Sequence, residues 1–407
     1  MSFDDWETYK LGDVTYWKSG GTPSKTNAKF WDGSIPWISA KTLTNVKISD
    51  SEITITDAGL QSGSRLAPVD SILLLVRGSG LFNDIPVGIV EKPVAFNQDI
   101  KAIEVDRGII TPYFLLYWIL ANKALLRSIL EETGIGAGKF DTDILKKLEI
   151  KIPSFEIQSK LTDFARAIDD KIVLNRQMNQ TLEEMARSVF REWFVNFNYP
   201  GADGVLEDGL PVGWRLKRIK ELGTVVTGNT PSSNNPEYFG EEVPFITPSD
   251  FRNYNKLIID AGRSLSSDGA KSLKNKVLPE NSVIITCIGS DMGKVAINKV
   301  KCLTNQQINS IIVNWNVATA DYLYYELIRN YDLLRNMATG GSTMPIINKS
   351  QFEDIQFVIP PLNLLKQFQS VVDPINEKLK EIISENRTLA MLRDSLLPKL
   401  MKGEISV

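Results

Sequence analysis

Three sets of residues in this chain have types and spacings that could do chemistry. The first is GIGAGK, Gly134 to Lys139, which has the glycines and lysine of a phosphate-cradling loop. Its spacing is G-x3-GK, however, and Phe140 stands where such a loop needs Ser or Thr. The second set is Asp141, Asp143, Glu149 and Lys151, similar to the carboxylates and lysine that hold a metal in nucleases. The matching stretch of the second half, FEDIQFVIP from Phe352 to Pro360, lacks the second part of that set, so strand-edge charge accounts for it better. The chain contains no histidine, which removes the commonest general base, the Ser-His-Asp arrangement and most zinc sites. No Asn-Pro-Pro-aromatic or Asp-Pro-Pro-aromatic segment occurs, and an adenine methyltransferase is expected to show one.

The third set does its chemistry by hydrogen bonding. In the first half it comprises Ser19, Thr22, Ser24, Lys25 and Lys29, then Lys41, Arg77, Ser79, Asn97, Gln98 and Lys139. In the second half it comprises Thr227, Thr230, Ser232, Ser233 and Asn234, then Ser249, Arg252, Ser290, Lys294, Asn305, Gln306 and Ser342. Side chains of these types read base edges or hold phosphates. Any single one of them is equally compatible with an ordinary solvated loop, and the amides of Asn97 and Asn305 can instead hold a turn. Trp31, Trp37 and Phe245 read as core residues, not as stacking platforms.

At 407 residues the chain is too long for one ordinary core. Its 46 basic and 49 acidic residues nearly cancel, so any basic footprint is local. The longest apolar stretch, FLLYWILANKALL from Phe114, is broken by Asn122 and Lys123, too soon to cross a bilayer. The start, MSFDDWETYK, is acidic where a signal peptide would be basic. A cytoplasmic location without a membrane partner is expected, with Cys287 and Cys302 kept reduced as small core residues.

The positioning elements come in duplicate. SGGTPS (Ser19 to Ser24) recurs as TGNTPS (Thr227 to Ser232), with Pro23 and Pro231 208 residues apart. IPWISA (Ile35 to Ala40) matches VPFITP (Val243 to Pro248), and AFNQDI (Ala95 to Ile100) matches LTNQQI (Leu303 to Ile308), at the same spacing. ETGIGAGKF (Glu132 to Phe140) faces ATGGSTMPI (Ala338 to Ile346), and IKIPSFEIQSKL (Ile150 to Leu161) faces FVIPPLNLLKQF (Phe357 to Phe368). Four or more short matches in one order mark a repeat. Runs such as SILLLV (Ser71 to Val76) and VIITCI (Val283 to Ile288) predict buried strands, while 111–130 and 320–335 are long enough for helices.

Each half closes on a long helical pattern. Apolar residues at Ile157, Leu161, Phe164, Ile168, Ile172, Met178, Leu182, Met185 and Val189 step by four and three. The second series is Leu364, Phe368, Val371, Ile375, Leu379, Ile382, Leu389, Leu392, Leu396 and Leu400, interrupted only by Pro374. These are coiled-coil seams, with Asn179 and Asn386 as candidate register-fixing polar residues. A segment of this length spans about 60 Å, wider than a small domain, so the two seams are expected to bury each other as an antiparallel pair that brings Met1 and Val407 together.

ARSVFREWFVNF (Ala186 to Phe197) and LRDSLLPKLMKGEI (Leu392 to Ile405) resemble the two conserved helical regions of Type I restriction-modification specificity subunits. WETYKLGDV (Trp6 to Val14), GWRLKRIKELGTVVTGNTPS (Gly213 to Ser232) and the segments starting at Pro153 and Pro360 resemble that family's target recognition domains. The resemblance covers nearly the whole chain. It implies an α+β fold of two similar mixed α/β domains related by a pseudo-twofold axis and separated by two long helices forming an antiparallel coiled coil. The expected layout is a first recognition domain over 1–154, a helix and linker over 155–198, a second recognition domain over 199–361 and a second helix over 362–407. It further implies a non-catalytic subunit that reads a bipartite, asymmetric site in double-stranded DNA and docks two methyltransferase subunits, which methylate adenine N6. Restriction and motor subunits complete such complexes. S-adenosylmethionine, ATP and Mg2+ then belong to the partners, and this chain binds no cofactor. The competing readings are a structural coiled-coil adaptor and a metal-dependent nuclease.

Helices of about 60 Å bridge at most about 18 base pairs, part of which the domains themselves cover, so the unread spacer is expected to be well under one and a half turns. Adding about one helical turn to both seams, near Asn179 and Asn386, should keep the recognised bases and lengthen the spacer by about one or two base pairs. Methylome sequencing of a strain carrying the lengthened protein reads this, and altered bases or an unaltered spacer would contradict it.

Overall fold

The computed structural model describes residues 6–134, 136–252, 256–289, 291–338 and 346–405. Contacts divide the chain into two compact units, residues 1–172 with 388–407, and residues 173–387. The division falls inside both long helices and not at their ends, so each unit contains a segment of each helix.

In the first unit the run around Ile72–Leu75 is buried at every position, as a strand with cover on both faces must be. It sits at the centre of a five-stranded sheet ordered Thr15–Ser19, Ile100–Val105, Ile72–Leu75, Val87–Val90 and Lys47–Ile48. The helix Pro112–Ala121 packs against this sheet, with Phe114 to Ile119 buried. Its start is set locally, since Pro112 occupies the first turn and Thr111 Oγ1 accepts from Phe114 N at 3.3 Å. The helix expected over 111–130 breaks at Asn122, whose side chain donates to Trp118 O at 2.8 Å, and resumes as Lys123–Ser128. A second sheet runs Thr54–Ile55, Trp31–Ile38, Val94–Phe96, Arg65–Ala67, and its Ile38, Ala67 and Phe96 complete the same core.

The second unit repeats the five-stranded sheet strand for strand. Its five-stranded sheet is ordered Gly223–Thr227, Ile308–Val313, Val283–Thr286, Val295–Asn298 and Leu257–Ile258. The register matches as well: Thr15 pairs with Val105 and Gly223 with Val313, and in both sheets only the last pair is parallel. Glu7–Lys10 pairs with Glu149–Ile152, and Arg215–Arg218 with Gln356–Ile359. Each domain therefore ends where it began, and the long helix departs from that closure. The helices run Phe155–Phe194 and Leu362–Met401, the second continuous through Pro374.

Within each unit the helix segments are antiparallel. In the first, Leu161 and Ala165 share a core with Leu397, Leu400 and Met401, and Asp169 meets Arg393 at 2.8 Å. In the second, Phe190 and Phe194 meet Phe368 edge to face with centroids 6.1 and 5.0 Å apart, while Asn175 Nδ2 donates to Asn386 Oδ1 at 2.9 Å. Trp6 and Ile405 pack against the first unit's core. Met1 and Val407, whose proximity the sequence predicts, lie outside the described residues.

The seam differs from the apolar series in a physically instructive way. Met178, Met185, Val371 and Leu392 are exposed, whereas Ala165, Asp169, Asn175, Ala186, Val372 and Asn376 are buried. Asn175, not Asn179, is the partner of Asn386. A periodicity built on large apolar residues passes over small and polar ones, and here those face inward because each polar residue finds a partner. Asp169 accepts from Tyr117 Oη at 2.9 Å as well as from Arg393. At the position 207 residues later, Asn376 donates to Asp321 at 3.0 Å. Asp321, almost fully buried, also accepts from Gln369 at 2.7 Å and pairs with the fully buried Lys256. Burial alone would raise the Asp321 carboxyl, but Lys256, Asn376 and Gln369 outweigh it and hold that carboxyl below the ordinary carboxylate range. Removing one member of such a pair strands a buried charge. Asp321→Ala should lower stability by about 3–5 kcal/mol, read by urea unfolding, and a loss within about 0.5 kcal/mol would show that Lys256 is satisfied without it.

Candidate nucleic-acid interface

The polar loops converge at one end of each five-stranded sheet. In the first unit the strand Thr15–Ser19 runs into the SGGTPS loop while the strand Ile100–Val105 is entered from Asn97, Gln98 and Asp99. The two loops touch through backbone, Gly21 N donating to Phe96 O at 2.9 Å. A Cβ on Gly20 would lie 2.2 Å from Phe96 O and 2.5 Å from Asn97 O, so only glycine lets the loops meet. Thr22 Oγ1 then donates to Gln98 Oε1 at 2.6 Å. The second unit repeats this contact. A Cβ on Gly228 would meet Asn305 O at 2.2 Å, and Thr230 Oγ1 donates to Gln306 Oε1 at 2.7 Å.

The paired amides divide their roles. Asn97 is buried, accepts from Asp99 N at 3.1 Å and donates to Asp99 Oδ2 at 3.2 Å. Asn305 is buried likewise, accepting from Gln307 N at 3.1 Å. Both asparagines hold the turn, the structural role that their residue type already allowed. Gln98 and Gln306, one residue further on, are exposed beside the threonine hydroxyls. Trp37 supports the first loop from behind, its Nε1 donating to Gly21 O at 3.2 Å, and both Trp37 and Phe245 are buried as expected.

The remaining predicted residues are distributed as follows. Lys25 and Lys29 are exposed, as is Lys41, and among the described residues none of them has a carboxylate partner. Ser24 Oγ lies 2.9 Å from Thr26 Oγ1, and Ser79 opens the short turn Ser79–Phe82. Arg77 is exposed, with Lys139 opposite it in register. Ser19 Oγ accepts from Lys101 Nζ at 2.5 Å, and Thr227 Oγ1 donates to Asn309 Oδ1 at 2.6 Å. Ser232 Oγ accepts from Asn234 N at 3.3 Å, Ser233 is exposed, and Ser249 Oγ lies 2.7 Å from Thr247 Oγ1. Lys294 is neutralised by Asp291 at 2.7 Å, which makes it a poor phosphate contact. Ser290, Ser342 and the side chain of Arg252 lie outside the described residues. The sequence reading passed over Lys101 and Lys146, a strand residue and a short-helix residue outside any polar loop. The signal for Lys101 was available, since it immediately follows AFNQDI.

Among the described residues the acidic set does not gather into a site, and GIGAGK includes Ile135, which lies outside the described residues. Asp141 caps the helix Thr142–Lys147, accepting from Asp143 N at 2.8 Å, while Glu149 and Lys151 are exposed on the closing strand. Among the described residues no group of three or more side chains could hold a metal. Cys287 and Cys302 are buried free thiols, pushed up to about 12 by burial and therefore unreactive. Among the described residues no helix is long and apolar enough to cross a membrane.

A recognition fold repeated twice, presenting the same Thr–Gln loop pair at the same sheet end each time, defines a two-site recognition protein. Residues 3–184 and 211–385 match the Type I restriction modification DNA specificity domain, and the chain belongs to that family. It is 28% identical over 477 residues to the Type I restriction enzyme HindI specificity subunit of Haemophilus influenzae, covering 98% of this chain and 100% of that one. It is 28% identical over 419 residues to the Type I restriction enzyme MjaIX specificity subunit of Methanocaldococcus jannaschii, covering 99% and 94%. In fold it resembles the Type-I restriction-modification S subunit from M. genitalium, with a TM-score of 0.57 at 14% identity over 97% of this chain and 96% of that one.

Truncating the buried Asn97 to Ala should cost about 1–3 kcal/mol by removing the side chain that holds the half-buried turn at Asp99, whereas Gln98→Ala should stay within about 0.5 kcal/mol. Urea unfolding of the two variants separates them, and equal losses would mean that the glutamine also belongs to the turn.

Proposed function

We propose that this chain is the non-catalytic sequence-recognition subunit of a Type I restriction-modification enzyme, each domain reading one half of a bipartite, asymmetric site in double-stranded DNA. The observation that carries this reading is the recurrence of Thr22–Gln98 as Thr230–Gln306 on two copies of one scaffold. Exposed amides and hydroxyls can read base edges, while Lys25 and Lys29 on the neighbouring loop are suited to backbone phosphates. In this reading two methyltransferase subunits dock on the paired helices and methylate adenine N6, and restriction subunits add ATP-driven cutting. S-adenosylmethionine, ATP and Mg2+ are bound by those partners.

The purified chain is expected to show no methyl transfer, ATPase or nuclease activity, and to shift duplex DNA together with its methyltransferase partner. Lys25→Ala with Lys29→Ala should weaken binding to all sequences and flatten its salt dependence by about 0.9 per lost phosphate contact. Methyl transfer by the isolated chain would overturn the reading. A complex that assembles but never shifts DNA would favour the adaptor.

A further inference from the structure

The two recognition domains share a backbone but not a charge distribution. In the first, Lys101 lies opposite Ser19 in register and donates to its hydroxyl at 2.5 Å. The backbone N–H of Arg77 donates to Asp99 O at 3.3 Å, which sets the Arg77 backbone beside the segment running from the exposed Gln98 to the half-buried Lys101. Lys146 stands on the helix Thr142–Lys147 against Gly12, whose added Cβ would meet the Lys146 Cβ at 2.9 Å. Among the described residues none of these three cations is paired with a carboxylate. The acid nearest along the chain, Asp99, is turned to the amides of Asn97 and Gln98. Burial lowers the Lys101 ammonium from its ordinary value, and the charges of Lys146 and Arg77 lower it further.

The equivalent positions of the second domain can be assigned from the backbone. Asn309 faces Thr227 as Lys101 faces Ser19. Ile288 pairs with Ile346 as Arg77 pairs with Lys139, and the preceding Val76 and Cys287 donate to Asp99 O and Gln307 O at 2.8 and 2.7 Å. Glu353 follows the buried Phe352 as Lys146 follows the buried Leu145, and it pairs with Lys349 at 3.4 Å. Three positive charges in the first domain thus correspond to a neutral amide, an apolar side chain and one negative charge in the second. A fold gains nothing from gathering unneutralised cations at the rim of a binding loop, but an anion placed among them relieves their repulsion.

Resting on the recognition function proposed above, we propose that Arg77, Lys101 and Lys146 of the first domain form a phosphate clamp on the DNA backbone, a clamp that the equivalent Asn309, Ile288 and Glu353 do not reproduce in the second. The clamp takes backbone phosphates and carries no sequence information.

The test uses the full chain co-purified with its methyltransferase partner, bound to a random-sequence duplex across a salt series and followed by fluorescence anisotropy. With Arg77→Gln, Lys101→Gln and Lys146→Gln combined, the slope of log Kd against log salt should flatten by up to about 2.7, or about 0.9 per contact. The methylated sequence in the host genome should stay the same. Should the triple variant fail to fold, Lys101→Gln alone should flatten the slope by about 0.9. Wild-type binding with an unchanged slope in the variants would overturn the clamp and leave the recognition function standing. A wild-type complex that binds no duplex at all would overturn the recognition function and the clamp with it.

Discussion

A buried carboxylate is what attaches the long helices to the recognition folds. In the first unit Asp169, on the first helix, accepts from Tyr117 of the sheet-covering helix and from Arg393 of the second long helix. In the second unit the acid sits on the sheet-covering helix itself, where Asp321 gathers Lys256, Gln369 and Asn376. The donor and acceptor roles have exchanged between the copies while the linkage has persisted. A buried acid must be met by directional donors at short range, so this arrangement fixes rotation and register more tightly than apolar packing alone. Hydrophobic contacts are non-directional, and a helix held only by Leu161, Phe190 or Phe368 could slide by a turn at modest cost.

Given that anchorage, the sheet ends can diverge without loss of fold. The glycines at Gly20 and Gly228, the turn-holding Asn97 and Asn305, and the parallel strand pairs Trp37 with Ala95 and Phe245 with Leu303 recur in both units. What varies lies on the strands and the short helix around these supports: Lys101 against the buried Asn309, Arg77 against Ile288, Lys146 against Glu353. Side chains that point to solvent cost little to exchange, whereas those that let two loops approach within hydrogen-bonding distance do not tolerate exchange. A duplicated scaffold can therefore meet two different half-sites with one architecture, which suits an asymmetric target.

The duplication, the two long helices and the family were legible in the residues themselves, because a repeat at a constant spacing and a run of steps of three and four are one-dimensional signals. The strand runs were legible for the same reason, since full burial demands an unbroken apolar stretch. The seam was legible only in part. Leu161, Phe368 and Leu400 face inward as their periodicity says, but Met185 and Leu392 do not, and Asp169, Asn175 and Asn376 do. Whether a polar residue can be buried depends on donors that arrive from elsewhere in the chain, such as Tyr117 and Arg393, and no local pattern reports them.

The candidate interface divides along the same line. The sequence by itself determined that polar loops recur in register, because the Thr-Pro and Asn-Gln pairs repeat at one offset, and that the chain lacks the imidazole on which most acid–base sites rely. Only the tertiary structure decided which of those residues are scaffold and which are presented to solvent: Asn97 turned inward and Gln98 outward, and Lys294 neutralised by Asp291 while Lys25 has no carboxylate partner among the described residues. It also decided that Lys101 lies beside Ser19 and that Arg77, far from both in sequence, hydrogen-bonds to the segment leading into Lys101. Hydrogen bonding and charge act over a few ångströms of space, and that distance is set by strand pairing between segments far apart in the chain.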